Sequence, residues 1–194
     1  RTPFVGRDKE MAMIDAVLAE CFEEPVARSV LVMGPPGAGK SRLRREFLAR
    51  APGRESGAAE SPRAVFARAD VVGSGSALGL ARQILERLAG IADGEARETK
   101  AAALSRFADA IETDTAARAR MREFAAELLG VPSVEPASVE LSSARNEPRV
   151  LAEWLRRTFA HAVAAVARRG PLVVVLEDLH WGDEASVEFV AEAM

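Results

Sequence analysis

The amino-acid sequence predicts an α/β fold whose sheet is mostly parallel. Short apolar runs of strand length alternate along the chain with longer segments in which apolar residues recur at helical spacing. A glycine-rich stretch joins one of these runs directly to a helical segment. The composition favours helices for the longer segments, because the 194 residues include 38 alanines as well as many leucines, arginines and glutamates.

The first third of the chain is predicted to form two helices and two strands. Residues 8–22 have the apolar spacing of a helix, which Pro25 ends. Residues 29–33 are short, apolar and followed by a glycine- and proline-rich loop, so they predict a buried strand. A second helix follows over 40–50, and the alternating segment 64–69 predicts a second strand. Clusters of glycine, serine and proline predict loops or turns at 51–62 and 73–76.

The remainder is predicted to be largely helical before it returns to a strand. Residues 130–148 are rich in proline and serine and predict a long loop. Five consecutive aliphatic residues at 172–176 predict a strand buried on both faces, and Glu177 and Asp178 follow it directly. Apolar residues at helical spacing predict helices over 77–88, around 104–111, around 121–128 and over 149–169.

Composition and charge exclude several classes of protein. The net charge of −3 argues against a broadly basic nucleic-acid surface, and the absence of tyrosine argues against a base-stacking platform. Cys21 is the only cysteine and there are only two histidines, so neither a disulfide nor a multi-histidine zinc centre is expected. No apolar run approaches the roughly 18–20 residues of a membrane span, and no signal-peptide pattern occurs. We therefore expect a cytoplasmic segment with no membrane partner and no direct nucleic-acid binding. Because it begins with Arg1, we expect an excerpt of a longer protein.

Residues 34–41 read Gly-Pro-Pro-Gly-Ala-Gly-Lys-Ser and match the phosphate-binding pattern G-x-x-x-x-G-K-[ST]. The glycines let the backbone bring its N–H groups close to phosphate oxygens, and the following helix directs its positive dipole end there. Lys40, one of only three lysines among 26 basic residues, offers a point charge to the β- and γ-phosphates, and the Ser41 hydroxyl suits Mg²⁺. The alternative is a simple turn that caps a helix. The predicted nucleotide-binding residues are Gly34, Pro35, Pro36, Gly37, Ala38, Gly39, Lys40, Ser41 and Arg42.

Glu177 and Asp178 form the second candidate element. A buried strand places them at its carboxyl end, the edge of an open α/β sheet where ligands bind and where the phosphate loop is also expected. One carboxylate can hold the water shell of Mg²⁺ while the other orients or deprotonates an attacking water. The alternative is a pair of acids that cap a strand near solvent. The candidate catalytic residues are thus Lys40, Glu177 and Asp178, and the candidate metal ligands are Ser41, Glu177 and Asp178.

Three patches in order resemble the nucleotide-binding module of AAA-type and STAND-type signalling ATPases of bacteria. They are Phe-Val-Gly-Arg at 4–7, the phosphate loop, and Leu-Glu-Asp-Leu-His-Trp-Gly-Asp at 176–183, which is similar to the Walker B region. The resemblance implies a P-loop NTPase three-layer sandwich that binds ATP and Mg²⁺, with Val5, Gly6 and Arg7 beside the adenine. The order Glu-Asp reverses the usual Asp-Glu, so the division of roles between the two acids stays open.

The resemblance also implies attached domains. Such modules accompany Ser/Thr protein kinase, nucleotide cyclase or DNA-binding domains, and this sequence looks most like kinase–ATPase fusions of myxobacterial type. Family members continue beyond the Walker B strand with a sensor strand, an arginine finger and a lid, for which no room follows Asp183. We therefore expect an incomplete sheet. Residues 1–194 would be the N-terminal portion of one P-loop ATPase domain, with a helical insert around 92–148.

The leading hypothesis is an ATP-binding and ATP-hydrolysing switch within a larger signalling protein, in which other domains of the same chain are the partners. One rival is a P-loop kinase for a small molecule, in which residues 172–176 would pair directly with residues 29–33. A second rival is a scaffold that binds ATP without hydrolysing it and recognises proteins through the insert or the segment 130–148. Self-association and other protein partners are left open.

Overall fold

The computed structural model describes residues 6–24, 26–50, 62–69, 77–131 and 136–194. Two compact units are present, one built from residues 1–64, 170–173 and 194, the other from residues 65–169 and 174–193. In chain order the described elements are α1 (Asp8–Glu23), α2 (Lys40–Arg50), β1 (Arg63–Arg68), α3 (Gly79–Leu88), α4 (Arg97–Ile111), α5 (Thr115–Leu129), α6 (Val139–Asn146), α7 (Pro148–Ala167), β2 (Leu172–Glu177), a 3-10 turn (Leu179–Trp181) and α8 (Glu184–Glu192).

The first unit contains the helix pair α1 and α2. Met11, Leu43 and Phe47 are buried between these helices, and partly buried apolar residues of both helices surround them. Leu43 and Phe47 lie four residues apart on α2, and the partly buried Ile14 and Leu18 continue from Met11 on α1 at steps of three and four, which is the spacing that places side chains on one face. The predicted helices over 8–22 and 40–50 are confirmed, and both begin at the predicted residue.

The predicted strand over 29–33 is wrong. Residues 26–35 have no regular secondary structure, and the sheet of the described chain contains only β1 and β2. Leu31 and Met33 are 73% and 82% exposed, so this apolar run is not buried. A strand needs a neighbour that bonds its N–H and C=O groups, and no described segment supplies one here.

The second unit is a group of helices around α7. Helix α7 packs against α3, α4, α5, α6 and α8, and it buries a stripe that includes Leu155, Phe159 and Ala162. The Phe159 ring lies 5.7 Å from the ring of Phe189 on α8. Because the apolar stripe is long and regular, the sequence predicts this helix to within two residues at each end.

The predicted long loop over 130–148 is also wrong in its second half, where α6 forms. Ser138 caps this helix, because its hydroxyl oxygen accepts the N–H of Leu141 at 3.0 Å. The N–H and hydroxyl of Ser138 both donate to Glu123 of α5, each at 2.6 Å. Serine therefore acts as a helix start here and not as a loop residue. Residues 132–135 lie outside the described residues, as do residues 51–61 of the predicted loop over 51–62 and the turn at 73–76.

The described sheet consists of β1 and β2, which run parallel. The N–H of Arg63 donates to Pro171 O at 2.8 Å, and the N–H of Ala69 donates to Glu177 O at 3.0 Å. Both strands advance six residues between these bonds, so the register is uniform. The predicted strands over 64–69 and 172–176 are confirmed, but β2 is half-buried along its length instead of buried on both faces. In the described residues it has one neighbouring strand, β1.

The α/β class is thus confirmed as a helix-rich chain with a small parallel sheet. The complete three-layer sandwich stays a prediction. No helix in the described ranges combines the length and the apolar character that crossing a membrane requires.

Candidate functional site

The phosphate-loop sequence at 34–41 forms a loop that runs into the first turn of α2. Gly37 and Gly39 have φ angles of +80° and +86°, in the left-handed region that glycine enters at little cost. The N–H of Ala38 donates to the carbonyl oxygen of Pro35 at 3.2 Å and closes a turn. The chain therefore reverses tightly just before the helix begins, as the glycine spacing predicts.

The start of α2 presents backbone N–H groups that have no acceptor in the described part of the chain. The carbonyl of Gly39 accepts the N–H groups of Arg42 and Leu43 at 3.0 and 2.9 Å. The N–H groups of Lys40 and Ser41 precede these bonds and donate to no described residue. Together with the positive end of the helix dipole, such groups can bind an anion.

The Lys40 ammonium lies against the beginning of the same loop. Its Nζ atom donates to the carbonyl oxygens of Gly34 at 2.7 Å and Pro35 at 3.1 Å. A phosphate group would offer this ammonium charged acceptors in place of neutral carbonyls, and charge-assisted hydrogen bonds are the stronger kind. Ser41 and Pro36 are exposed on the loop. The arrangement fits a bound phosphate.

The predicted patch around Arg7 reaches this loop. The Arg7 guanidinium donates through Nη2 to the carbonyl oxygen of Ala38 and through Nη1 to Glu10 at 2.9 Å. A hydrogen bond from its own backbone N–H holds the pKa of Glu10 below its ordinary value, and Arg7 lowers that pKa further. Gly6 adopts φ +79°, whereas Val5 lies outside the described residues. The structure thus brings Arg7 to the phosphate loop, while contact with an adenine stays a prediction.

Arg42 behaves differently from the other predicted loop residues. Its Nε atom donates to Glu46 at 2.8 Å, one turn further along α2. Such a pair runs along the helix surface, as residues four apart do. A contact between Arg42 and phosphate therefore stays a prediction, with an ion pair to Glu46 already present.

The two predicted acids lie in the second unit, at the carboxyl end of β2. Glu177 is the last residue of the strand, and Asp178 follows it with φ +54°. Positive φ is uncommon for residues other than glycine, although aspartate tolerates it better than most. Arg68, the last residue of β1, donates through Nε to Oδ2 of Asp178 at 2.8 Å, and its Nη2 atom forms an ion pair with the same oxygen at 2.8 Å.

Sequence reasoning missed Arg68 as a partner of Asp178. The two residues are 110 positions apart, so no local spacing connects them. The signal that could have found Arg68 is its place at the end of a predicted parallel strand, because neighbouring parallel strands end at the same edge. A charged residue at the end of each strand then meets the other.

Asp183, the last residue of the Walker B-like patch, caps the starts of two helices, α3 and α8. Asp183 accepts the N–H of Ser186 at 2.7 Å, which caps α8, and the N–H groups of Leu78 and Gly79 at 3.0 and 3.1 Å, which cap α3. Ser186 is fully buried, and its hydroxyl oxygen accepts the N–H of Ala81 at 3.1 Å. Burial alone raises the pKa of Asp183, but the hydrogen bonds from Ser186 and Leu78 outweigh it and hold that pKa below its ordinary value.

In the described ranges, no three His, Cys, Asp or Glu side chains cluster as a metal site. Mg²⁺ bound with phosphates keeps several waters and needs only one or two protein carboxylates. Ser41, Glu177 and Asp178 offer the hydroxyl and carboxylate oxygens that this ion prefers, so the residue types fit. Their role as metal ligands stays a prediction.

Comparison with known proteins identifies the family. A family model described as AAA ATPase domain matches residues 3–194. The chain belongs to the AAA ATPase domain family. This AAA ATPase domain is also 31% identical over 196 residues to uncharacterized protein R02095 of Rhizobium meliloti (strain 1021), a match that covers 98% of the chain and 17% of that relative. No solved structure matches the domain.

Family membership confirms the predicted AAA-type P-loop module, and with it a nucleotide-binding domain. The STAND subtype and the fusion to a kinase stay predictions. The assignment of residues 1–194 to the N-terminal portion of one domain, with a helical insert around 92–148, stays a prediction as well.

Proposed function

We propose that this AAA ATPase domain binds ATP with Mg²⁺ at residues 34–41 and hydrolyses it. The observation that supports binding is the loop itself. The ammonium of Lys40 and N–H groups at the start of α2 that have no acceptor among the described residues border one tight turn, which is the donor set that phosphate groups need. Family membership supports the choice of a nucleotide as the source of those phosphates.

For the reaction, we assign a task to each predicted residue. Lys40 and the loop N–H groups bind the phosphates and stabilise the charge that develops on the transferred phosphoryl group. Mg²⁺, when bound, neutralises phosphate charge, and Ser41 and Glu177 would hold it. Asp178 accepts the proton of the attacking water, whose oxygen bonds to the γ-phosphorus while the bond to the β–γ bridging oxygen breaks. Oδ1 of Asp178 makes no hydrogen bond with any described residue and is the atom proposed to accept that proton.

We further propose that the domain is a switch of the STAND type in a larger cytoplasmic signalling protein, and that other domains of that protein, such as a Ser/Thr protein kinase, are its partners. The chain spans 17% of the length of the Rhizobium relative, which supports a setting among further domains. The rival hypothesis of a small-molecule kinase predicted that residues 172–176 pair directly with residues 29–33, and this pairing does not occur among the described residues. In the described chain β2 pairs with β1, and residues 29–33 join no strand.

The decisive experiment is a titration of the protein with a fluorescent ATP analogue, in which Lys40→Ala is compared with Lys9→Ala. Removal of a charge-assisted hydrogen bond to phosphate should weaken binding about tenfold or more. Lys9 is an exposed lysine of the same unit and should have no effect. Equal affinity of the Lys40→Ala variant and the wild type would exclude the phosphate loop as the binding site.

Hydrolysis is tested separately, by phosphate release from Mg²⁺·ATP. The substitutions Glu177→Gln and Asp178→Asn should each reduce turnover to a residual level while binding of ATP is retained. A wild-type protein that binds ATP tightly and never releases phosphate would favour the scaffold that uses ATP without hydrolysing it.

A further inference from the structure

The side-chain amide of Gln83 binds helix α3 to the end of β1. Gln83, in the middle of α3, accepts the N–H of Arg68 at 3.0 Å and donates from Nε2 to the carbonyl oxygen of Arg68 at 2.9 Å. A side-chain amide offers one acceptor and donors, as a peptide group does. Gln83 therefore satisfies the last residue of β1 in the way that a neighbouring strand would.

The residue held in this way, Arg68, is the one that contacts Asp178. Arg68 contacts the carboxylate at one atom, Oδ2, through a hydrogen bond from Nε and an ion-pair contact from Nη2, and Oδ1 makes no hydrogen bond with any described residue. The two side chains are 70% and 37% exposed, and an exposed ion pair contributes only about 0–1 kcal/mol to stability. Its main consequence is therefore the orientation of the carboxylate.

The beginning of α3 is bound to the segment that follows Asp178. Asp183 accepts two N–H groups from the start of α3, and the buried hydroxyl of Ser186 accepts a third. Helix α3 is thus joined to the acid-bearing segment at two places, at Asp178 through Gln83 and Arg68, and after Asp178 through Asp183. A change in the position of α3 would alter the orientation of the carboxylate.

We propose that Gln83 is a positioning residue for ATP hydrolysis, which acts through Arg68 on the carboxylate of Asp178. This inference rests on the proposed function, because a positioned acid matters only if Asp178 takes part in turnover. Gln83 lies on an element that supplies no part of the phosphate loop. Its loss should therefore slow the chemical step and leave ATP binding unchanged.

The kinetic test compares Gln83→Ala with Arg87→Ala, which removes a surface ion pair to Asp93 from the same helix. The Gln83→Ala protein should show kcat reduced about tenfold, with the Kd for the fluorescent ATP analogue within about twofold of wild type. Arg87→Ala should change neither. In an Asp178→Asn background, which leaves only residual turnover, Gln83→Ala should cause no further loss, because the residue through which it acts is already altered.

A second variant separates positioning from folding. Gln83→Glu keeps the length and the acceptor but loses the donor to Arg68 O, so its kcat should lie between those of wild type and Gln83→Ala. Equal kcat for wild type, Gln83→Ala and Gln83→Glu would overturn the inference and leave the proposed function intact. Absence of ATP turnover in the wild type would instead overturn the proposed function, and the inference with it.

The contact can also be followed without ATP. Gln83 is the only glutamine of the chain, so glutamine labelled in its side-chain amide gives the NMR signals of one residue. The substitutions Arg68→Ala and Asp178→Asn should shift these signals, whereas Arg87→Ala should not. Signals that stay in place in the Asp178→Asn protein would show that the acid and the helix are not coupled.

Discussion

The carboxylate of Asp183 accepts backbone N–H groups from the starts of two helices, α3 and α8. Each helix start has unpaired donors, and one carboxylate satisfies groups from both. Because these bonds form with the ionised group, they hold the pKa of Asp183 below its ordinary value despite the opposing effect of burial. A single residue therefore joins two elements and makes that junction depend on pH.

This residue yields a stability prediction with a defined sign. Because the pKa is lower in the folded than in the unfolded state, the stabilisation is present above the ordinary aspartate pKa of about 3.9 and is lost as the pH falls through the folded value. At pH 7, Asp183→Asn should lower the free energy of unfolding by about 1–2 kcal/mol, because the amide keeps one acceptor oxygen but places an N–H donor where Oδ2 accepts the N–H of Gly79. Urea unfolding at pH 7 and pH 3 measures this, and the difference from wild type should shrink at pH 3.

The control for this experiment is Asp93→Asn, which changes a carboxylate that is 79% exposed and paired with Arg87. It should alter the free energy of unfolding by less than about 0.5 kcal/mol at either pH. If Asp183→Asn were equally silent at pH 7, the double cap would not contribute to folding.

Two leucines of the first unit allow a test of the elements there. Leu43 is 3% exposed on α2, whereas Leu31 is 73% exposed in the segment that was expected to be a strand. Leu43→Ala should destabilise the protein by about 2–5 kcal/mol, and Leu31→Ser should cost less than about 0.5 kcal/mol. Denaturant unfolding measures both. A large loss for Leu31→Ser would mean that the run is packed, as its composition suggested.

The elements that the sequence predicted well are those specified by their own residues. Helices α2 and α7 follow from an apolar stripe, and the phosphate loop follows from glycines and a lysine within eight residues. The errors concern pairings between distant residues. Residues 29–33 have the composition of a strand but no neighbour in the described chain, and the cap of α6 is supported by Glu123, 15 residues away.

The candidate site shows the same division between local and distant signals. Spacing located both acids and the strand before them, because the pattern is contiguous in sequence. Spacing could not show that Asp178 is held by Arg68, or that Arg68 is in turn held by Gln83. These contacts depend on which strands and helices lie side by side, and hence on packing that no short motif encodes.

At the scale of the whole molecule, the two units differ in the size of their described cores. In the first unit the buried side chains are those of Met11, Leu43 and Phe47, whereas the second unit buries apolar side chains from every one of α3 to α8. Buried apolar area is the main source of stability, at about 25 cal/mol per Å². The first unit should therefore open more readily than the second, although it contains the phosphate loop.

Amide hydrogen exchange tests this difference and its link to nucleotide. Without ATP, the amides of α1 and α2 should exchange about tenfold faster than those of α7, because local opening needs less free energy where fewer apolar contacts are lost. Mg²⁺·ATP binds only the folded loop, so it should slow exchange across α2 by mass action and leave α7 nearly unchanged. In the Lys40→Ala protein the same nucleotide concentration should protect α2 far less. Equal exchange rates for α2 and α7 before ATP is added would contradict the argument from core size, because the unit with the smaller described core would then open no more readily than the other.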